Sequence, residues 1–337
     1  ECPTGVDMYR MKIEFLAQYR KRSRASLRDR LVAYLPRYAA WVARVPWLAN
    51  APNRSRALGA LRERLLGFSA RRPTPEWHRR PFPGGVFGPE QGREVVLLID
   101  TFNTYFQPET AAAAVEILTR AGYRVVTARA ADGPRPLCCG RTFLSVGLVE
   151  EAKAEARRTI DALSPYVERG VPVVGLEPSC LLTLRDEFLA LHPDDKTRAL
   201  AARALLLEEF LVAERCAGRL ELPLRALPQR RALLHGHCHQ KAFGVLSPVE
   251  QVLGWIPELA VETIESSCCG MAGSFGYDAE HYDVSMRMAE LSLLPKVRAA
   301  DPDVLIAADG FSCRHQIADG AQRTGLHVAR ILAQALA

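Results

Sequence analysis

Two pairs of adjacent cysteines, each followed by glycine, are the residues with the clearest chemical potential in this sequence. They occur at residues 138–140 and 268–270, in a chain of 337 residues that holds nine cysteines. A disulfide between neighbouring cysteines is strained, because the small ring distorts the peptide and the S–S torsion. The odd number of cysteines also argues against a closed disulfide set. Metal binding or redox chemistry is therefore the better interpretation of these thiols.

The elements that must position these cysteines alternate along the chain. Strands are predicted at six compact apolar runs, at 93–100, 123–129, 171–180, 231–240, 260–270 and 303–313. Helices are predicted between several of them, at 108–122, 148–167 and 280–300. Strands that alternate with helices imply βαβ units with right-handed crossovers. The predicted fold class is α/β, with mostly parallel sheets in two pseudo-repeated halves, preceded by a helical N-terminal linker.

The two halves form an internal repeat of strand, helix, strand with Cys-Cys-Gly, helix, and strand with Ser-Cys. The doublet and the Ser-Cys pair are separated by 40 residues in the first half and 43 in the second. Cys238 opens the second half and has no cysteine counterpart in the first. Thr101 or Phe102 stands near the equivalent place. The repeat therefore contains one half that lacks its leading cysteine.

Seven of the cysteines follow predicted strands, and they are Cys138, Cys139, Cys180, Cys238, Cys268, Cys269 and Cys313. The crevice outside the carboxyl ends of parallel strands is where such sheets bind ligands. We therefore expect these thiols to meet in one or two clusters. Gly140 and Gly270 are expected to let the backbone approach the sulfurs, and the amides after Gly270 to donate hydrogen bonds to them.

Thiolates select zinc, copper(I) or iron–sulfur clusters. Adjacent cysteines splay apart, which suits two irons of a multinuclear cluster better than one tetrahedral zinc. The Cys-x-x-Cys pairs typical of zinc sites do not occur. An iron–sulfur cluster is therefore the predicted cofactor, with zinc as the alternative. A dithiol–disulfide enzyme is a third possibility, and it requires an accessible thiol of low pKa.

Histidines crowd the same segments at His235, His237, His239 and His315. Any one of them could bind metal, but we expect each to support the site or the fold, because the cysteines already supply enough ligands. Cys216 lies in a helical stretch away from these motifs. We expect it to pack in the interior as a small hydrophobic residue.

The N-terminal part of the chain is helical and basic. Residues 1–93 hold 19 Lys and Arg against 7 Asp and Glu, an excess of +12 in a chain of net charge +6. Such a surface could contact nucleic acid, an anionic membrane surface or an acidic partner domain. Nucleic-acid-binding motifs are missing, and we expect a solvated helical face or a domain contact. The Pro- and Gly-rich stretch 69–85 is typical of a linker before the main fold.

The chain begins Glu1, Cys2, Pro3 without an initiator Met, and we expect it to be a fragment of a longer protein. Cys2 and Pro3 match the end of the bacterial ferredoxin run C-x₂-C-x₂-C-x₃-C-P. We therefore predict four segments, namely the tail of a ferredoxin-type motif at 1–7, a basic helical linker at 8–85, and Cys-Cys-Gly halves at 86–230 and 231–337.

No run of 18 apolar residues and no secretory signal are present, so a cytoplasmic location is expected, with peripheral membrane attachment as an option.

Together these motifs resemble the C-terminal part of bacterial FAD-linked D-2-hydroxyacid dehydrogenases with an iron–sulfur region, of the 2-hydroxyglutarate or lactate type. The resemblance rests on CCGRTFLSVGLVEEAK, GLEPSCLLTLRDEF, HGHCHQKAFG, CCGMAGSFGYDAEHYDVSMRMAE and ADGFSCRHQIADG. The same region is similar to the iron–sulfur subunit of glycolate oxidase and to the cysteine-rich subunit of heterodisulfide reductase. The resemblance covers nearly the whole chain and is most specific over 93–335.

The resemblance implies an electron-transfer module that relays electrons from FAD, held on a domain absent from this chain, to a downstream acceptor. It implies metal-ligand roles for the seven cysteines named above, a cluster of 4Fe–4S type, and Cys2 as the last ligand of a ferredoxin cluster. The implied partners are the FAD-binding and ferredoxin domains of a parent oxidoreductase. The fragment alone is not expected to oxidise substrate. A zinc-stapled structural or docking module of the same complex is the alternative.

The sequence departs from the family pattern in two ways. The first half lacks its leading cysteine. Thr183 and Gln316 stand three residues after Cys180 and Cys313, where the pattern has further cysteines. We therefore expect one site built mainly from the second half, with help from the first-half cysteines.

Overall fold

The structure is a computed structural model that describes residues 6–133 and 135–337. Cys2 and most of the predicted ferredoxin-type tail lie outside the described residues. Helices surround two mostly parallel sheets, and a helical region precedes them. The predicted α/β fold class is thus confirmed. Among the helices of the described residues, none is both long and apolar enough to cross a membrane.

Six helices form the N-terminal region: α1 Met8–Arg20, α2 Leu27–Ala33, α3 Leu35–Val42, α4 Pro46–Ala49, α5 Ala51–Arg54 and α6 Arg56–Leu66. Their ends follow from local chemistry. Ser26 caps α2 in a capping box with Asp29, which satisfies backbone N–H groups that a helix start leaves free. Gly67 ends α6 in the left-handed conformation, which a residue without Cβ adopts readily.

The first sheet contains β1 Val86–Phe87, β2 Arg93–Leu98, β3 Tyr123–Val126, β4 Val173–Gly175 and β5 Ala204–Leu206, in the order β1-β3-β2-β4-β5. Only β1 is antiparallel to its neighbour. The helices of this half are α7 Thr101–Tyr105, α8 Pro108–Arg120, α9 Arg141–Leu144, α10 Val149–Glu168, α11 Pro178–Arg185, α12 Glu187–Leu191, α13 Asp195–Arg203 and α14 Leu207–Cys216.

The second sheet contains β6 Arg231–Leu234, β7 Ala260–Thr263, β8 Leu305–Ala307 and β9 Gly325–Leu326, all parallel, in the order β7-β6-β8-β9. Its helices are α15 Cys238–Ala242, α16 Ser247–Gly254, α17 Tyr282–Glu290, α18 Leu293–Ala299, α19 Phe311–Ala321 and α20 Val328–Gln334.

The strand orders confirm the internal repeat. The order β3-β2-β4-β5 of the first sheet matches β7-β6-β8-β9 of the second. In the first sheet β3 lies on one side of β2 and β4 lies on the other side. In the second sheet β7 and β8 flank β6 in the same way. At such a switch in direction the following loops diverge, and a crevice opens at the carboxyl ends of the strands. Each half therefore supplies one crevice.

The core joins the two halves. Val95, Val96 and Leu97 of β2 are fully buried on both faces of the sheet, as a central parallel strand requires. Helices α8 and α14 of the first half pack against α20 and α16 of the second. A single apolar cluster runs through all four helices. The two crevices are thus held in a fixed relation by buried hydrophobic contact.

The N-terminal region packs against the second half through ion pairs. Arg72 is buried and donates hydrogen bonds to the Asp319 carboxylate at 2.8 Å and to the Gly276 carbonyl at 2.9 Å. Arg71 pairs with Asp283 at 2.7 Å on the surface nearby. Part of the N-terminal positive charge is therefore paired within the chain.

Three cysteines lie in helices, although the sequence predicted them at strand ends. Cys180 lies in α11, Cys238 in α15 and Cys313 in α19, each in the first turn. The strands before them are only three or four residues long. For Cys180 and Cys313 the apolar run continues past the strand because the helix start is buried as well, so hydrophobicity does not change where the strand ends. The start of α15 is different, because Cys238 is exposed.

Candidate metal centre

Cys138, Cys139 and Cys180 form one buried group, which we call the first-half thiols. The doublet follows β3, and Cys180 comes from the start of α11 beside it. The thiols of Cys138 and Cys180 donate hydrogen bonds to the sulfur of Cys139, which lowers the pKa of Cys139 well below its ordinary value. The same contacts raise the pKa of its two neighbours. The group therefore favours one thiolate, the form that binds metal.

Cys238, Cys268, Cys269 and Cys313 form a second group, the second-half thiols. The thiols of Cys238 and Cys269 donate to Cys268, which lowers the pKa of Cys268 to about 2. Cys269 is also in hydrogen-bonding contact with Cys313, which lowers the pKa of Cys313 to about 5, so the single proton of Cys269 is shared between the two neighbouring sulfurs. Cys269 and Cys313 are buried, whereas Cys238 and Cys268 are accessible because they face a cavity. Four thiols thus converge from two helix starts and one loop.

The two doublets adopt the same turn. The Gly140 N–H donates to Cys138 Sγ at 3.3 Å, and the Gly270 N–H donates to Cys268 Sγ at 3.3 Å. Both glycines have positive φ, at 75° and 86°. A Cβ on Gly270 would lie 2.2 Å from the Ser285 carbonyl oxygen, closer than atoms can approach. Glycine is therefore required at this turn by backbone conformation and by space.

His235 belongs to the second-half site. Its Nδ1 lies 2.9 Å from Ser266 Oγ, while Nε2 is buried without a hydrogen-bond partner among the described residues. A ring nitrogen of His235 and the sulfurs of Cys269 and Cys313 all lie within 4.8 Å of one another. A buried polar atom without a partner calls for an explanation. His235 is therefore the histidine best placed to bind a metal or to support its ligands.

The other histidines have different surroundings. His237 and His239 flank Cys238, with Nδ1 atoms 3.9 and 3.6 Å from its sulfur. His315 instead packs against the Phe311 ring, with centroids 4.4 Å apart, and burial lowers its pKa to about 4. His315 therefore supports the fold as a neutral side chain.

All seven predicted cysteines within the described residues come together at the carboxyl edges of the sheets. Six of them, all except Cys313, line one cavity of about 1000 Å³. Cys313 lies behind it, in contact with Cys269. Cys216 lies at the exposed end of α14, so its expected place in the interior is wrong. The helix carries it on its outer face, where apolar spacing alone does not distinguish it from a core residue.

Arg141 joins the two thiol groups and was missed from the sequence. Its Nη2 lies 2.6 Å from His239 Nε2, and its Nη1 donates to Glu187 at 2.7 Å and to Thr183 at 3.0 Å. The ring of Tyr9 covers the guanidinium at 4.7 Å. The place of Arg141 directly after the first doublet was the available signal. A fixed positive charge therefore lies between the two groups.

Thr101 occupies the first-half position of the missing cysteine. It is the first residue of α7, as Cys238 is the first residue of α15. Asp100 caps α7 by accepting hydrogen bonds from the N–H groups of Phe102 and Asn103. His237 caps α15 in the corresponding place. The first half thus presents a carboxylate and a hydroxyl where the second presents an imidazole and a thiol.

Glu177 is a buried acid between the two halves. Its carboxylate accepts hydrogen bonds from the Phe311 N–H and from Ser179 Oγ, both at 2.8 Å. Burial, with the nearby charge of Asp100, raises the pKa of Glu177 to about 8. At neutral pH Glu177 is therefore mostly protonated in the folded protein. In the unfolded chain, where its pKa has the ordinary value, the same side chain is ionised.

This raised pKa predicts a pH dependence of stability. Between about pH 4.5 and 8 the folded state binds more protons at Glu177 than the unfolded state does, so the free energy of unfolding should fall as pH rises through this window. Glu177→Gln should flatten that fall. Urea unfolding at several pH values, with the exposed Glu258→Gln as control, measures the effect. Equal pH profiles for the wild type and Glu177→Gln would contradict it.

The donor set fits a thiolate-bound inorganic centre. Four cysteines are the ligand number of structural zinc and of 4Fe–4S clusters. The second-half thiols supply four sulfurs, two with lowered pKa, and a backbone N–H at one of them. The first-half thiols supply three. The second half is therefore the more complete site.

The comparisons with known proteins agree with this geometry. Residues 100–185 match the CCG cysteine-rich domain family. The matched segment runs from Asp100 to Arg185 and includes all three first-half thiols.

The chain is similar to two proteins named as dehydrogenases or their subunits and to a lactate utilization protein. It is 24% identical to D-2-hydroxyglutarate dehydrogenase of Escherichia coli (strain K12), over 94% of this chain and 31% of that protein. It is 29% identical to a subunit of the anaerobic glycerol-3-phosphate dehydrogenase of the same organism, over 59% of this chain and 50% of that protein. It is 26% identical to lactate utilization protein A 2 of Bacillus cereus (strain Q1), over 72% of this chain and 99% of that protein. The chain thus spans about a third of the first relative and half of the second.

Proposed function

We propose that this chain is the iron–sulfur electron-transfer module of a flavin-dependent oxidoreductase that oxidises a D-2-hydroxy acid. The observation that carries the proposal is the convergence of seven cysteines from two repeated halves around one cavity. The similarity to proteins named as dehydrogenases supports the reaction class. Partners of the module would be FAD-binding and ferredoxin domains and a downstream acceptor. Its location would be cytoplasmic or peripheral at a membrane.

The second-half thiols would hold the main centre. Cys238, Cys268, Cys269 and Cys313 would be its ligands, and a bound 4Fe–4S cluster would supply one-electron chemistry. The hydrogen bonds among these thiols favour thiolates at Cys268 and Cys313 before any metal binds. The Gly270 N–H stabilises negative charge on Cys268. These residues therefore prepare a site for a cationic centre.

The first-half thiols would act as a second, less complete site. Cys138, Cys139 and Cys180 provide three sulfurs, and Gly140 donates to the first of them. Arg141 lies between the two sites and pairs with Glu187. Its positive charge would stabilise thiolates on either side. Cys2 would belong to a separate ferredoxin-type cluster, as the sequence predicts.

Metal and sulfide analysis of anaerobically purified protein tests the proposal. We expect iron and acid-labile sulfide in similar amounts, with broad visible absorption that bleaches on reduction. About one zinc per chain without sulfide would instead support the zinc-stapled docking module. If the protein held neither iron nor zinc after anaerobic reconstitution with iron and sulfide, both the iron–sulfur module and the zinc-stapled module would be contradicted.

A further inference from the structure

His235 is held in one orientation directly after β6. Its backbone N–H donates to the Ala307 carbonyl at 2.8 Å, which extends the pairing of β6 with β8 by one residue. Its side chain is only 1% exposed, and its Nδ1 lies 2.9 Å from Ser266 Oγ. The imidazole therefore has a fixed place in the interior, beside the loop that carries the second doublet.

The contacts of Ser266 decide which ring nitrogen of His235 carries the proton. Lys241 Nζ donates to the Ser266 carbonyl and lies 3.4 Å from Ser266 Oγ. The Ser266 hydroxyl donates to the Ile264 carbonyl at 3.5 Å. Since a hydroxyl has one proton and two lone pairs, Ser266 Oγ can only accept from His235 Nδ1–H. The free lone pair of His235 is therefore on Nε2, which has no hydrogen-bond partner among the described residues.

This lone pair belongs to a group with metal-ligand spacing. A ring nitrogen of His235 and the sulfurs of Cys269 and Cys313 lie within 4.8 Å of one another. Metal–sulfur bonds of about 2.3 Å and metal–nitrogen bonds of about 2.0 Å place the ligands of one metal roughly 3.5–4 Å apart. A metal atom can therefore bind all three. Nε2 needs no path to solvent for this role, because a ligand inside a closed site is covered by the protein around it.

Gln316 indicates why the second half would use an additional ligand. It stands three residues after Cys313, where the pattern that this chain resembles has a further cysteine. Its Nε2 donates to the Ser285 carbonyl at 3.1 Å, which fixes the amide beside the Gly270 turn. Imidazole suits iron as a ligand, whereas a neutral carbonyl oxygen suits harder cations. The second half thus offers four thiols and one imidazole where that pattern has five thiols.

We propose that His235 Nε2 is a ligand of the metal centre at the second-half thiols, on the iron nearest Cys269 and Cys313. The inference rests on the proposed function, because it requires an iron–sulfur centre at these thiols. The hydrogen bond from Nδ1 to Ser266 orients the imidazole, as a bond at the second ring nitrogen does in other metal sites. A neutral nitrogen in place of a thiolate makes the centre less negative and therefore easier to reduce.

Electron spin-echo spectroscopy of the reduced protein tests this ligand. The protein is produced with isotopically labelled histidine, purified anaerobically and reduced until the cluster is paramagnetic. We expect a nitrogen strongly coupled to the cluster spin, with a signal that changes with the isotope. His235→Cys should abolish this signal and lower the reduction potential, because a thiolate replaces the imidazole. His235→Gln should also abolish it, and serves should His235→Cys fail to fold.

His315→Gln is the matched control, because His315 is a half-buried histidine of the same half that packs on the Phe311 ring. Its substitution should leave the nitrogen signal unchanged. An imidazole that only supports the fold would give no strong coupling, even in the wild type. A cluster spin without a strongly coupled histidine nitrogen, or the same coupling in wild type and His235→Cys, would overturn this inference alone. Protein that takes up no iron and sulfide would overturn the proposed function and this ligand with it.

Discussion

Cys268→Ala is expected to remove most of the bound iron and sulfide from the anaerobically purified protein. Cys268 receives hydrogen bonds from two neighbouring thiols and from the Gly270 N–H, so it is the strongest thiolate of the second-half group. Loss of this ligand leaves three sulfurs where a cluster needs four. We expect iron per chain to fall below about half of the wild-type value, since metal affinity depends directly on ligand number.

Cys216→Ala provides the matched control for this experiment. Cys216 is also a free cysteine, but it is exposed at the end of α14, away from both thiol groups. The same chemical change there should leave iron, sulfide and visible absorption unchanged. Equal iron content in the wild type, Cys268→Ala and Cys216→Ala would show that Cys268 is not a ligand.

Gly270→Ala is expected to have the largest effect on stability. The new Cβ would lie 2.2 Å from the Ser285 carbonyl oxygen, and Gly270 has a φ of 86°. The left-handed conformation costs about 1–2 kcal/mol in a residue with a Cβ, and overpacking adds about 1–3 kcal/mol. We therefore expect the free energy of unfolding to fall by about 2–5 kcal/mol in urea titrations, with weaker iron binding because the doublet must move.

Gly273→Ala separates the cost of the left-handed backbone conformation from the cost of overpacking. Gly273 has a similar φ of 70°, but a Cβ there would meet nothing within 4 Å. Its substitution should cost only the conformational part, about 1–2 kcal/mol. Equal losses for Gly270→Ala and Gly273→Ala would refute the steric role of Gly270 in the turn.

The convergence of the thiols could be anticipated from the sequence because it depends on local signals. Both doublets come after predicted strands, which places them beyond the carboxyl edges of parallel sheets. The similar spacing to Cys180 and Cys313 indicates a repeat, which the matching strand orders confirm. Topology then brings these residues to one edge, whatever the details of packing.

Other features of the site depend on tertiary packing, which local patterns do not encode. Arg141 contacts His239 from the other half of the chain, and Tyr9 reaches the same place from the N-terminal helix. Neither residue belongs to a motif shared with its partner. The raised pKa of Glu177 likewise follows from burial between the two halves. These contacts exist only once the halves and the N-terminal helices have packed together.

Anomalous X-ray scattering from anaerobically grown crystals, recorded at the iron and zinc absorption edges, tests the central claim most directly. The claim is that thiols distant in sequence hold an inorganic centre beside the cavity at the carboxyl edges of the two sheets. We predict a strong iron peak among Cys238, Cys268, Cys269 and Cys313 and no zinc peak there. A zinc peak at this position, or iron located away from both thiol groups, would contradict the account.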